Sequence, residues 1–299
     1  MTEDKKCAPS KIYSNGSCFT LKQLKHISKT YNKLLDDDNI LSKKIKKIKI
    51  NLKNDKKYLV KELTNRLENV CDNQICWLKQ SFIRKTDNID IYNNTFKPEG
   101  PQGKFEWLNT LHIDNVMKQY EKKYTDFKYF GAVPIDFDKI YSKFKINFND
   151  LLDRNIHKLG FIFNLDESWQ SGSHWVSMFS DLKKKQIYYF DSVGTKPERR
   201  IKRLMKRILI WMKSKNNNLE SINTDVLFHK KKTKGYDIKF NDIQHQYKDS
   251  ECGVYSIHFI LKMLQNNSFS DITESKILDN DMNQFRDKLF RFSKKNPIK

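Results

Sequence analysis

Cys252 lies where a polar stretch of the sequence turns abruptly into an apolar one. From Val254 to Leu264 apolar residues cover every side of a helical wheel, which predicts a helix in the centre of a core rather than on its surface. Cys252 is then the first residue of that helix. The N-terminus of a helix offers unpaired N–H groups and the positive end of the macrodipole, and both favour a thiolate over a thiol. The stretch therefore predicts an activated cysteine nucleophile.

Two neighbours of Cys252 fit the same chemistry. Gly253 allows backbone and substrate to approach closely, because it has no side chain. Gln246, six residues upstream of Cys252, carries an amide that can donate a hydrogen bond to an oxyanion. The alternative interpretation is structural: Cys252 is a small, buried side chain that begins a core helix.

A second block of sequence supplies a base and an acid. Short β-branched and aromatic runs separated by polar turns predict a meander of three strands, at residues 160–165, 173–179 and 186–191. His174 enters the second strand, and Asp191 closes the third. Adjacent antiparallel strands can bring an imidazole and a carboxylate together, so that the carboxylate fixes the tautomer and the other ring nitrogen faces a thiol. The order of these residues predicts a centre of cysteine, histidine and aspartate.

This set resembles the pattern of the Ulp1/adenain-type cysteine proteases, the clan of SUMO-specific proteases and viral maturation proteases. The pattern is His-Trp, an Asp at the end of the next strand, and then Gln-x5-Cys-Gly. It appears here as His174-Trp175, Asp191 and Gln246-x5-Cys252-Gly253. The resemblance covers roughly residues 70–264. With the blocks at residues 96–101 and 107–137, it is greatest for the versions encoded by large cytoplasmic DNA viruses.

The resemblance implies a role for each catalytic residue. Cys252 attacks a peptide carbonyl, and His174 takes and returns the proton. Asp191 orients His174, while Gln246 and the Cys252 amide stabilise the oxyanion.

The resemblance also implies substrate contacts. Family substrates carry Gly-Gly or Gly-Ala before the cut, because a narrow tunnel admits only small side chains, and Trp175 resembles a wall of that tunnel. Trp77 resembles the Trp of the family's Trp-Leu-Asn-Asp motif, which lies beside the substrate groove. Lys79 and Gln80 stand in place of its Asn and Asp.

Strands in the middle of the chain with helices on either side predict an α+β protein. The resemblance specifies this as the papain-like Ulp1/adenain fold, with a central mixed sheet flanked by helices. Residues 71–299 form the predicted catalytic domain, and residues 1–70 a basic helical arm. The other predicted elements are helices at 21–34, 58–70, 77–83, 113–123, 151–157, from 197, and within 274–292, with strands at 127–133, 225–229 and 236–240.

The charge of the chain is strongly positive, with 57 basic against 36 acidic residues and a formal net charge of +21. Clustered lysines and arginines give a salt-dependent attraction to nucleic acid that does not depend on its sequence. Two clusters therefore predict non-specific DNA or RNA binding: residues 42–57 and the helix face with Arg199, Arg200, Lys202, Arg203, Lys206 and Arg207. The resemblance to the adenain-type proteases implies that nucleic acid stimulates the enzyme. The alternative is a compositional bias spread over a solvated surface. No cofactor is required by the predicted chemistry.

The five cysteines are odd in number and have no framework spacing, which predicts no disulfides and a reducing compartment. Cys71-x4-Cys76 lacks a second ligand pair, so no metal site is predicted. The N-terminus is too polar for a signal peptide, and no apolar run reaches the roughly 20 residues of a membrane span. For a viral protein, the expected location is the virion and the host cytoplasm; for a cellular protein, a soluble intracellular location is expected.

Three functions fit these observations. The first is a maturation protease that cleaves viral capsid or core precursor polyproteins, and the second is a protease that removes SUMO or ubiquitin-like proteins from their conjugates. The third, from a different class, is an inactive basic scaffold that binds nucleic acid. The presence of all four polar active-site residues favours an enzyme, because a scaffold does not require them.

Overall fold

The strands Lys158–Asn164 and Trp175–Asp181 are buried at every position, which requires a sheet covered on both faces. A computed structural model describes residues 3–37, 45–51, 55–84, 89–215 and 235–292. These residues pack as two compact units, one up to Glu99 and the other from Gly100 to Phe292. The predicted strand at 225–229 lies outside the described residues.

In the described residues of the unit up to Glu99, the regular structure is helical, apart from isolated bridges. Its helices are α1 (Leu21–Asp37), α2 (Lys56–Leu67), α3 (Gln74–Trp77), α4 (Ser81–Arg84) and α5 (Ile89–Asn94). A reciprocal pair of hydrogen bonds between Thr20 and Gln23 begins α1, as the sequence predicts. Helix α2 begins two residues before the predicted start because Asp55 accepts a hydrogen bond from the Tyr58 amide.

One apolar core joins the helices of this unit. It includes Leu24 of α1, Leu63 of α2, Trp77 of α3 and Ile91 of α5. The domain boundary predicted after residue 70 therefore falls inside this unit, and the division by compactness falls after Glu99.

Two disulfides lie in the same unit, and they contradict the prediction that the cysteines are unpaired. Cys7 bonds to Cys18 and Cys71 to Cys76, with Cα atoms 5.3 and 5.4 Å apart. Cys252 is the free cysteine and is buried. An odd count is compatible with two short-range bridges and one free thiol, so the inference of a reducing compartment loses its basis.

Among the residues described from Gly100 onward, five strands form one mixed sheet in the order β1-β2-β3-β4-β5. The strands are β1 (Phe127–Pro134), β2 (Lys158–Asn164), β3 (Trp175–Asp181), β4 (Gln186–Phe190) and β5 (Asp237–Phe240). The middle pairs β2–β3 and β3–β4 are antiparallel, which is the predicted meander. The outer pairs, β1–β2 and β4–β5, are parallel.

Helices cover both faces of the sheet, so the fold is α+β as predicted. They are α6 (Thr110–Lys123), α7 (Phe137–Ile140), α8 (Phe148–Asp153), α9 (Arg199–Ser214), α10 (Cys252–Leu264), α11 (Phe269–Thr273) and α12 (Asp279–Leu289). One face packs against α6 and α10. The apolar stripe of α9, which includes Ile201, Leu204 and Ile208, covers the other face.

Helix α10 is the central helix that its sequence predicts. Twelve of its thirteen residues are buried, and Ile257 and Ile260 have no exposed surface. Because every side of α10 is packed, its first residue, Cys252, has a fixed position relative to β3. No helix in the described part of the chain is both long and apolar enough to cross a membrane.

Candidate active site

The sheet brings His174 and Asp191 to the same edge. His174 immediately precedes β3, and Asp191 immediately follows β4. Because β3 and β4 are antiparallel, the start of one strand lies beside the end of the other. The His174 Nε2 atom is 2.6 Å from Oδ1 of Asp191, so the two predicted residues form a hydrogen bond.

Further donors hold the Asp191 carboxylate, whose side chain is only 1% exposed. The Val193 amide donates to Oδ1 at 2.9 Å. The Thr195 amide donates to Oδ2 at 3.3 Å, and the Thr195 hydroxyl donates to the same oxygen. Burial alone would raise the pKa of Asp191, but the His174 and Thr195 contacts outweigh it and the pKa lies below its ordinary value.

Asn241 holds the backbone of Asp191. Its Oδ1 atom accepts a hydrogen bond from the Asp191 amide at 2.8 Å, and its Nδ2 atom donates to the Asp191 carbonyl at 2.6 Å. Sequence reasoning missed this residue. The available signal is its position directly after β5, because the ends of the parallel strands β4 and β5 meet at one edge of the sheet.

Cys252 completes the group. It is the first residue of α10, is 2% exposed, and forms a hydrogen bond with the His174 side chain. Since Nε2 of His174 is bonded to Asp191, the nitrogen that faces Cys252 is Nδ1.

The two partners of His174 determine its charge. Burial lowers the pKa of His174, but the hydrogen bonds to Asp191 and Cys252 outweigh burial and raise the pKa from 6.5 to about 9. The raised pKa stabilises the fold fully below pH 6.5, and this contribution is lost as the pH rises through about 9. The lowered pKa of Asp191 stabilises the fold at pH values above the ordinary pKa of a carboxyl group. This contribution is lost as the pH falls through the pKa of Asp191 in the folded protein.

Gln246 lies in the loop before α10 and is 5% exposed. The Ser192 hydroxyl donates to its Oε1 atom at 2.6 Å, and its Nε2 atom donates to the Lys248 carbonyl at 2.5 Å. The second bond fixes which end of the amide carries the protons, because a carbonyl oxygen can only accept a hydrogen bond. A carboxamide nitrogen has two protons, and the described contacts use one of them. The other can serve as the predicted oxyanion donor.

Trp175 and Leu108 pack closely against the start of α10. The Trp175 indole donates to the Leu108 carbonyl at 2.8 Å. A Cβ atom added to Gly253 would lie 3.1 Å from the Leu108 Cβ and 3.4 Å from the Trp175 ring. A side chain at position 253 would therefore require these neighbours to move by a few tenths of an ångström. Trp175 also lines a groove of about 380 Å³ together with Trp107 and Gly172.

The structure contradicts a groove role for Trp77. This side chain is 2% exposed and stacks on Phe19 in the helical core of the first unit. The sequence Trp107-Leu108-Asn109 keeps three of the four residues of the Trp-Leu-Asn-Asp motif, and all three line the groove. Both Trp77 and Trp107 precede a leucine, so the Trp-Leu pair alone does not distinguish the two positions.

The basic face of α9 is partly engaged within the protein. Arg200 forms ion pairs with Asp138 and Glu167, at 2.8 and 3.1 Å. Arg207 donates a hydrogen bond to the Phe144 carbonyl. The other predicted cluster lies partly outside the described residues, at 42–44 and 52–54. Nucleic-acid binding stays a prediction, with fewer free charges on α9 than the sequence suggests.

Comparison with known proteins identifies relatives in sequence. Residues 113–296 match the family described as Ulp1 protease family, C-terminal catalytic domain. A provisionally named thiol protease of Acanthamoeba polyphaga mimivirus is 33% identical over 296 residues, 95% of this chain and 93% of that protein. A cysteine protease of African swine fever virus is 28% identical over 286 residues, 87% of this chain and 94% of that protein. In another isolate that protein, 27% identical to this chain, is named a SUMO-1 cysteine protease.

A solved structure shares the fold. The crystal structure of the African swine fever virus protease matches with a TM-score of 0.65 at 22% identity, and the match covers 98% of each chain.

The site geometry predicts a titration of His174 near pH 9, which NMR of histidine-labelled protein measures directly. In Asp191→Asn the midpoint should move down, because the variant removes the carboxylate that stabilises the imidazolium. Asp181→Asn is the matched control, since its carboxylate contacts His157 at 3.1 Å. A His174 midpoint near 6.5 in the native protein, or one that does not respond to Asp191→Asn, would contradict this account.

Proposed function

The chain belongs to the Ulp1 family of cysteine proteases, and on that premise we propose that it cleaves precursor proteins of a virus after small residues. The observation that carries this proposal is the contact of one imidazole, His174, with both the Asp191 carboxylate and the Cys252 thiol. The viral proteases among its relatives favour a maturation role over other uses of the same chemistry.

In the first half of the reaction, the Cys252 sulfur attacks the carbonyl carbon of the scissile peptide. A C–S bond forms, and the carbonyl oxygen becomes an oxyanion. The Gln246 side chain and the Cys252 amide donate hydrogen bonds to that oxygen, in a site where water is largely excluded. His174 then gives its proton to the departing amine as the C–N bond breaks, which leaves a thioester.

In the second half, water attacks the thioester carbon and His174 accepts the water proton. The C–S bond breaks, the acid product leaves, and the thiolate of Cys252 returns. Asp191 takes no proton in either half. Its role is to hold Nε2 of His174, so that Nδ1 stays directed at Cys252.

The packing at the start of α10 supports substrates with small residues before the cut. Leu108 and Trp175 approach the start of α10 so closely that Gly253 has no room for a side chain without movement of its neighbours. A substrate that reaches Cys252 past the same two residues has little space for side chains, and Gly-Gly or Gly-Ala sequences meet this condition. Trp107, which is 44% exposed, and Asn109 line the approach to this position.

The second candidate function is removal of ubiquitin-like proteins, because an African swine fever virus relative is named a SUMO-1 cysteine protease. Such substrates also end in Gly-Gly, so the chemistry at Cys252 does not separate the two functions. The two functions differ in the part of the substrate that contacts the enzyme outside the groove: a folded ubiquitin-like domain in one case and an unfolded precursor segment in the other.

The proposed function predicts the outcome of a substrate panel. SUMO fusions, ubiquitin fusions and unfolded precursor segments with Gly-Gly-X or Gly-Ala-X sites are offered at equal concentration to the native chain and to Cys252→Ala. We expect the native chain to cleave the precursor segments fastest and Cys252→Ala to cleave nothing, while both proteins unfold at similar temperatures. Faster cleavage of SUMO or ubiquitin fusions would overturn the maturation role, and turnover by Cys252→Ala would overturn the nucleophile assignment.

A second prediction concerns the oxyanion. Gln246→Ala should lower kcat by about 10²-fold with little change in KM, the usual cost of losing one oxyanion donor. The matched control is Gln284→Ala, on the exposed side of α12. The measurement is steady-state kinetics, with kcat and KM determined on the peptide of the panel that the native chain cleaves fastest. A change confined to KM would mean that Gln246 binds the substrate and does not stabilise the oxyanion.

A further inference from the structure

Arg286 on α12 is fully buried, with no exposed surface. A buried guanidinium is costly unless acceptors meet its N–H groups. Here Nη1 donates to the Glu106 carbonyl at 2.8 Å, and Nη2 donates to the Ser250 carbonyl at 2.7 Å. The Nε atom donates to Asn283 Oδ1 at 3.2 Å. The proposed reaction assigns no role to this side chain.

The two carbonyls that Arg286 binds belong to two different segments of the active site. Glu106 directly precedes Trp107 and Leu108, the segment that lines the groove and packs against the start of α10. Ser250 lies two residues before Cys252. One planar guanidinium therefore ties the groove wall to the loop that carries the nucleophile.

Glu251 provides the opposite charge for this network and is 1% exposed. Its carboxylate accepts hydrogen bonds from the Ser250 amide at 3.0 Å, the Ser250 hydroxyl at 3.1 Å and Asn283 Nδ2 at 2.9 Å. Asn283 thus accepts from Arg286 and donates to Glu251. Burial lowers the pKa of Arg286, and the charges of Glu251 and Cys252 oppose that shift, so Arg286 lies within electrostatic reach of both residues.

The first turn of α10 sets the direction of the Cys252 amide, and the network holds the peptide before it. The Glu251 carbonyl accepts a hydrogen bond from the Tyr255 amide at 2.9 Å and so points along α10. In a trans peptide the N–H of Cys252 points the opposite way, out of the helix and toward the attacked carbonyl. The Ser250 carbonyl, held by Arg286, fixes the preceding peptide.

We propose that Arg286, together with Asn283 and Glu251, is a positioning residue: it holds the loop before Cys252 against the segment of Glu106, so that the start of α10 and its Cys252 amide keep the geometry that the oxyanion requires. The inference rests on the proposed protease function and adds to it a residue that touches neither substrate nor thiol. Lysine cannot replace arginine here, because a single ammonium group does not reach two carbonyls in the fixed geometry of a guanidinium fork.

The test compares Arg286→Lys with Arg154→Lys, an exposed arginine directly after α8 that pairs with Asp150 at 3.4 Å. Three quantities are measured in the full chain: kcat and KM on the best peptide, the inhibition constant of the matching peptide aldehyde, and the rate at which iodoacetamide alkylates Cys252. The aldehyde forms a hemithioacetal whose oxygen occupies the oxyanion position, so its affinity reports the geometry of the donors.

For Arg286→Lys we expect kcat to fall by about 10- to 100-fold, the scale of a small misplacement in an active site. The aldehyde should lose affinity by the same factor, while KM and the alkylation rate stay close to those of the native chain. Arg154→Lys should match the native chain in all three. If Arg286→Lys does not fold, Asn283→Ala should show the same signature with a smaller loss, because it removes only the link to Glu251.

The inference is overturned if the folded variant keeps native kcat and aldehyde affinity, or if kcat, KM and alkylation all deteriorate together, as general loss of structure would produce. A native chain that cleaves no peptide would overturn the proposed function and this inference with it. Native cleavage with an unaffected Arg286 variant would overturn this inference alone.

Discussion

The Asp191 carboxylate is a buried charge, and burying a charge is unfavourable unless donors surround it. His174 brings one donor from the start of β3, and Val193 and Thr195 bring others from the turn before α9. Asn241, after β5, fixes the backbone on either side of the same residue. The contacts of this one residue thus hold three segments together at one edge of the sheet. The hydrogen bond from His174 to the carboxylate also sets the direction of the His174 ring.

The other half of the site depends on the burial of α10. A helix packed on every side cannot shift without opening a core, so Cys252 stays where the packing of β3 and α10 sets it. The loop before the helix is held by Arg286 from α12. The two halves meet where His174 bonds to Cys252, and Gly253 permits the close approach of Leu108 and Trp175 beside that contact. The relative positions of the reacting groups therefore depend on rigid packing.

Local patterns in the sequence predicted much of this architecture. The meander β2–β3–β4, the buried helix after Cys252 and the amphipathic α9 each follow from a hydrophobic period, and His174, Asp191, Gln246 and Cys252 follow from residue type and order. The partners of these residues did not follow, because Asn241 and Arg286 reach the site through contacts across 50 and 36 positions of the chain. The missed disulfides have a different cause, because Cys7–Cys18 and Cys71–Cys76 are only 11 and 5 positions apart and neither the number of cysteines nor their spacing shows which of them pair.

The central claim is that His174 and Asp191 activate Cys252 as the nucleophile of a protease that accepts small residues. A peptide ending in Gly-Gly with a vinyl ester in place of the scissile bond tests it most directly, because an activated thiolate adds to the vinyl group and stays attached. Mass spectrometry of proteolytic fragments then locates the adduct. The account predicts one adduct, on Cys252, formed rapidly by the native chain and at least about 10²-fold more slowly by His174→Ala, the scale of a lost general base. An adduct on another residue, or equal rates in the two proteins, would contradict it.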